Sequence, residues 1–162
     1  MDKIMLRSMT SVYFVGEGQI LCLYRIGSKV ADKLYVGAAG GHFEEGELKD
    51  PEACVLREMR EELGLGPEDI CDLKLRYITH RLKNGEIRQN YYYFAKLSGE
   101  VPVNSTEGIL RWVALDEFQD LPMPVSAKHM MMHYLKHGRS TETIYAGITE
   151  GSGTNFVPLK EF

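Results

Sequence analysis

The run Gly40-Gly41-His42-Phe43-Glu44-Glu45-Gly46-Glu47, followed by Arg57-Glu58-Met59-Arg60-Glu61-Glu62-Leu63-Gly64-Leu65, decides how the chain is read. Asp50-Pro51-Glu52 supplies an N-cap, a proline at the first helical position and an acid in the first turn, while Gly64 supplies a stop. Together they predict a helix over about 51 to 63. Val55, Leu56, Met59 and Leu63 form its apolar stripe, with Ala53 and Arg60 beside it. Glu58, Glu61 and Glu62 stand at i, i+3 and i+4 and share another face. Like charges at that spacing destabilise a helix by roughly 0.2 to 0.5 kcal/mol per pair, and acids in the last turn meet the negative end of the macrodipole. Something positive is expected to offset both. Hard carboxylate oxygens suit Mg2+ or Mn2+, and Mg2+ usually takes only one or two protein carboxylates, leaving room for water and substrate phosphates. An isolated string of this kind is more often a solvated acidic helix end; the glycine-rich segment upstream reverses that reading.

The two parts together resemble the Nudix box, the motif of hydrolases that split nucleoside diphosphates linked to another group. Its pattern is G-x5-E-x7-R-E-U-x-E-E-x-G-U, with U a bulky aliphatic residue. Gly41 and Glu47 match the first half, and Arg57, Glu58, Met59, Glu61, Glu62, Gly64 and Leu65 match the second. The box covers about residues 41–65, and only its spacer departs, with nine residues, Leu48 to Leu56, in place of seven. The extra length falls in the loop before the helix and leaves the phase of the three acids intact. In the family the glutamate and arginine at positions 47 and 57 form a structural ion pair, so the longer loop is expected to bulge and keep it.

Further expectations come from the resemblance. It implies an α/β (α+β) fold, an α/β/α sandwich with a mixed central sheet, and one hydrolase domain over residues 1–162. Glu58 is the principal carboxylate, as ligand or general base; Glu61 and Glu62 are further metal ligands, Glu61 also being a candidate base. Gly40 offers a backbone carbonyl to the metal, and Arg57 is a brace rather than a catalyst. Glu107, in Ser105-Thr106-Glu107-Gly108 before the strand Leu110-Arg111-Trp112-Val113, is a candidate ligand or base from outside the box. The implied chemistry is attack on phosphorus by water activated by Mg2+, or Mn2+, with a carboxylate removing the proton. Gly40-Gly41-His42-Phe43-Glu44 and the tail Trp112 to Phe118 look most like MutT-type members acting on oxidised dGTP. Hydrolysis of ADP-ribose or a dinucleoside polyphosphate, and a non-catalytic nucleotide-binding module, remain alternatives. A homodimer is a further expectation. The segment Gly37-Ala38-Ala39-Gly40 departs from the aromatic-Pro-Gly-Gly often found before the box.

Composition is in keeping with a compact enzyme. The 162 residues are 44% hydrophobic, enough for a sizeable core. No apolar run approaches a membrane span and Met1-Asp2-Lys3-Ile4 does not begin like a secretory leader, so a cytoplasmic location is expected. Cys22, Cys54 and Cys71 are odd in number and far apart, which predicts reduced, mostly buried thiols. A net charge of −4 argues against bulk nucleic-acid binding. A small-molecule nucleotide is different: an acidic pocket would accept its phosphates only together with a cation.

Periodicity gives the remaining elements. Residues 8–15 and 19–25 read as a hairpin around Gly16-Glu17-Gly18, and a short strand lies near Leu34-Val36. Segments 73–79 and 87–97 flank Asn84-Gly85, the best two-residue turn signal in the chain. Another strand covers 110–115, a helix 124–137 with Gly138 as its stop, and a final hairpin joins 142–148 to 155–159. His129, His133 and His137 repeat every four residues, but a dipole-favoured helix end explains them better than a metal. Met130 to Met132 are expected in the core. The glycine-rich stretch 147–153 lacks the G-K-[ST] of a phosphate loop and reads as a turn. His80, Arg81, Lys83 and Arg88 could neutralise phosphates or simply be solvated. Of Tyr91-Tyr92-Tyr93-Phe94, one face is core and the other could stack on a base.

Overall fold

The computed structural model describes residues 2–27, 32–100, 105 and 107–162. Its strands are β1 (Met5–Val15), β2 (Gln19–Arg25), β3 (Tyr35–Gly37), β4 (Ala39–His42), β5 (Ile70–Lys83), β6 (Glu86–Leu97), β7 (Gly108–Ala114), β8 (Tyr145–Glu150) and β9 (Gly153–Pro158); its helices are α1 (Pro51–Leu63) and α2 (Val125–Lys136). They form one mixed sheet of order β3-β2-β1-β6-β5-β8-β9, with β4 added to β1 and β7 to β2. The β1/β6 and β5/β8 pairs are parallel; the others are antiparallel.

Strand alternation splits the core into two layers. Tyr13, Ile20, Cys22, Tyr92 and Phe94 pack with Ala127, Met130, Met131 and Tyr134 of α2. Their sequence neighbours Val12, Phe14, Leu21, Tyr93 and Ala95 turn the other way and pack on Val55, Met59 and Leu63 of α1. The helices therefore cover opposite faces, giving the expected α/β/α sandwich. Both faces of Tyr91 to Phe94 meet the core: Tyr91 stands 5.2 Å from Phe43, and Tyr92 packs on the α2 side, where it also lines a cleft.

Local signals explain most element ends. Asp50 accepts from the N–H of Ala53 at 3.0 Å, Pro51 opens α1, and Gly64 closes it in the left-handed region with φ of 69°. Asn84 and Gly85 both have positive φ, 52° and 72°, as a type I′ hairpin turn requires. Gly138 departs from expectation. It begins a short 3-10 turn after α2 and is glycine because a Cβ there would strike the Tyr77 hydroxyl. The final hairpin, 145–150 with 153–158, starts later than its apolar pattern suggested, and β4 was not anticipated as a strand. Of the stretch 147–153 read as a turn, only residues 151–152 are one; the rest belongs to the paired strands. Each histidine of α2 in contact with the sheet has a polar partner: His133 Nδ1 meets Tyr77 at 2.7 Å and His129 Nδ1 meets Thr154 at 2.9 Å. Cys22 and Cys54 are buried free thiols, whereas Cys71 is exposed. Among the described residues no helix is long and apolar enough to cross a membrane.

Candidate active site

The sheet opens where the site lies. β1 and β2 pair only at Phe14 with Leu21 and at Val15 with Ile20, after which β4 takes the place of β2 beside β1. The divergence leaves a cleft of about 300 Å³ whose walls include Ser11, Leu23, Arg25, Gly40, Glu62 and Glu107. β4 lies between β1 and α1, and a glycine permits each approach. A Cβ on Gly40 would overlap the Thr10 carbonyl of β1, and one on Gly41 would overlap the Glu58 carboxylate.

Arg57 organises the acids around it. Its Nε and Nη2 donate to both oxygens of Glu47, at 2.8 and 3.0 Å, Nη1 donates to Glu58 at 2.9 Å and Glu61 at 3.1 Å, and Nη2 also reaches the His42 carbonyl at 3.0 Å. The spacer of nine residues has therefore not broken the brace. A 3-10 turn, Glu45–Glu47, in which Glu47 N donates to Glu44 O, leads into the spacer, whose start is closed by Asp50 N donating to Glu47 O. Arg57's hydrogen bonds hold the Glu47 carboxyl below its ordinary range, and Glu47 in turn raises the guanidinium.

Glu62 has a different environment. Its Oε2 accepts from the Gly40 N–H at 3.1 Å. Burial foremost pushes its carboxyl up to about 8, with Glu58 and Glu107 adding to the rise and the Gly40 N–H opposing it. Glu107 is held by Arg25 Nη2 at 2.9 Å and faces the same cleft; Thr106 beside it lies outside the described residues.

The predicted residues are thus sorted into two groups. Gly40, Glu62 and Glu107 line the cleft and Glu58 lies against Glu62, whereas Glu61 is half-exposed and shares Arg57 Nη1 with Glu58. Gly40 uses its N–H, not its carbonyl, in the contact seen. Among the described residues no three His, Cys, Asp or Glu side chains have donor atoms gathered closely enough to cage a metal. The donor set nonetheless fits a hard cation: carboxylate oxygens crowd one another at Glu62, and a positive charge there would relieve the repulsion that raises it. Arg7 and Arg25 were missed by motif reading. Strand phase could have found them, since Arg7 alternates in step with Met9, Ser11 and Tyr13, and Arg25 with Leu23.

The family model described as NUDIX domain matches residues 5–134. The mutator MutT protein of Bacillus halodurans superposes with a TM-score of 0.70 at 23% identity, covering 93% of this chain and 97% of that one. A MutT NUDIX hydrolase from Burkholderia pseudomallei gives 0.58 at 27% identity over 81% and 96%. A NUDIX hydrolase from Nitrosomonas europaea gives 0.64 at 13% identity over 93% and 81%. No curated protein matches the chain by sequence. With the family model spanning four-fifths of its length and the box braced on α1, the chain belongs to the Nudix family of hydrolases.

Proposed function

We propose that the chain is a Mg2+-dependent pyrophosphohydrolase, with Mn2+ able to substitute, acting on nucleoside diphosphates linked to another moiety. The leading substrate is a nucleoside triphosphate such as 8-oxo-dGTP, cut to the monophosphate and pyrophosphate. The observation that carries this reading is the convergence of Glu62 and Glu107 beside Gly40 on the cleft wall, with Glu58 against Glu62 and adding like charge. Glu58, Glu62 and Glu107 would hold the cation, with Glu61 and the Gly40 carbonyl as further ligands. When bound, the cation supplies neutralisation of phosphate charge and a lowered pKa for the attacking water.

The chain's own groups supply the rest. Arg57 fixes the Glu58 carboxylate through Nη1, so Glu58 is positioned to take a proton from water as the water oxygen bonds to phosphorus and the bridging P–O bond breaks. Glu61, tied to the same Nη1, is the alternative base. Arg25 orients Glu107. Action as one domain over residues 1–162, in the cytoplasm and as a homodimer, belongs to the same proposal and rests on the family likeness.

A panel of nucleotides assayed with Mg2+ and with EDTA tests the proposal. Glu58→Gln and Glu62→Gln are expected to lose turnover by several orders of magnitude with folding kept; normal turnover in Glu58→Gln would refute the assignment. Absence of Mg2+-stimulated phosphate or pyrophosphate release from every nucleotide would leave a non-catalytic binding module. A second reading is hydrolysis of ADP-ribose or a dinucleoside polyphosphate; the arginines lining the cleft favour the polyphosphate of these two, and product analysis separates this reading from the first.

A further inference from the structure

The hydrolase reading makes no use of Arg7, Arg81 and Arg88. Arg7 of β1 lies opposite Arg88 of β6, and Arg88 lies opposite Arg81 of β5, so three guanidinium side chains share one cross-strand row. All three are half-buried and all three line the cleft. Like charges opposite one another disfavour a sheet, and a chain of net charge −4 has no general excess of cations to explain the row. Glu86 partly offsets it: its Oε1 accepts from Arg88 Nε at 2.7 Å and lies 3.8 Å from Arg7 Nη1. Arg7 also reaches the His42 ring at 2.8 Å. Among the described residues Arg81 makes no hydrogen bond or ion pair; Glu150 shares a shallow depression with it without pairing.

Three positive charges and one negative leave +2, which suits a phosphate group of about −1.5 to −2 with three strong acceptor oxygens. The first turn of α2, whose N-cap Pro124 offers no side-chain acceptor, lines the same cleft and adds to the positive potential there. The position along β1 is also set. Gly40, the donor to Glu62, is opposite Ser11, and Arg7 is four residues upstream, roughly 13 Å along the strand.

We propose that Arg7, Arg81 and Arg88 form a second phosphate subsite, and that the substrate carries a phosphate beyond the two flanking the bond that is cut. The subsite stands on its own, whereas the statement about substrate rests on the hydrolase reading. A dinucleoside polyphosphate, or a nucleoside diphosphate linked to a phosphorylated moiety, fills both ends.

Inorganic pyrophosphate titrated into the full chain in EDTA, against chloride of equal ionic strength, reads the subsite without turnover. Calorimetry is expected to detect binding to the wild type and a loss of about ten-fold or more in Arg81→Gln and Arg81→Glu. Neither substitution should lower the Tm of the ligand-free protein, because each relieves repulsion in the row. A wild type that does not bind, or Arg81→Glu binding as the wild type does, overturns the subsite. For the substrate, the ratio of kcat/KM for diadenosine tetraphosphate over ADP-ribose is expected to fall about ten-fold in Arg81→Gln; an unchanged ratio overturns that statement. Should the wild type hydrolyse no nucleotide while Arg81→Glu still loses pyrophosphate, the hydrolase reading fails and the subsite stands.

Discussion

Breaking the Glu47–Arg57 pair is the sharpest test of how the loop is braced on α1. The side chains are 11% and 21% exposed, the contact is two-pronged, and Arg57 makes four further hydrogen bonds, to Glu58, Glu61, the His42 carbonyl and the Cys54 sulfur. Removing one partner of a buried pair costs about 3 to 5 kcal/mol because the other charge is stranded; partial exposure places Arg57→Gln near the lower end, about 3 kcal/mol. At roughly 2 to 4 °C per kcal/mol for a domain of this size, Tm should fall by about 6 to 12 °C. Glu47→Gln should cost less, since Arg57 keeps its other acceptors. Urea denaturation of wild type, both single variants and the double variant is expected to give a coupling energy of about 2 kcal/mol. The sign with pH follows from the lowered Glu47 carboxyl: the pair contributes in full above the ordinary value of 4.5 and is lost as pH falls through the folded value. Wild type and Glu47→Gln should therefore converge in acid. A coupling below about 0.5 kcal/mol at neutral pH, or a stability gap unchanged in acid, would refute the brace.

Adjacent glycines should respond in opposite ways. Gly40→Ala drives a Cβ into the rigid Thr10 carbonyl and should cost about 1 to 3 kcal/mol of stability. Gly41→Ala meets only the movable end of Glu58, so folding should survive while kcat/KM falls by about 100-fold; equal loss of Tm in both would contradict this. For Glu62, a folded value of about 8 against an ordinary 4.5 means the metal-free protein holds a proton that the unfolded chain releases. Its stability should fall as pH rises across that window, and the Tm gain from Mg2+ should grow over the same range. A Mg2+ effect flat in pH would remove Glu62 from the cation site.

Legibility from sequence followed the range of the forces involved. Asp50, Pro51 and Gly64 act within a turn of α1, and Asn84-Gly85 within one hairpin, so these ends were read to the residue or nearly so. β4 was missed because Gly40 and Gly41 carry no side chain to alternate; their strand character comes from pairing with Ser11 and Thr10, some 30 residues away. Glu58 and Glu62 were expected with Glu61 on one face, and helix phase does place them so. Arg57, however, divides the group by taking Glu61 outward, and that depends on where Glu47 arrives after the longer loop. Of the arginine row, Arg81 and Arg88 were legible as cations able to neutralise phosphates, but their alignment with Arg7 was not. Arg81 and Arg88 belong to one hairpin, but the register that brings Arg7 alongside joins strands 81 positions apart.

That β1/β6 ladder, running from Met5 opposite Glu86 to Phe14 opposite Ala95, also dictates the order in which the molecule is assembled. During synthesis the first strand emerges more than seventy residues ahead of its longest partner, and loop closure over such a separation is slow. Until Ala95 has left the ribosome, the middle of the sheet is missing and Val12 and Phe14 lack Tyr93 and Ala95 on the α1 side. Nascent chains that stall before that point should be prey to proteases and chaperones, while those released a few dozen residues later already hold the central strands on which everything else docks.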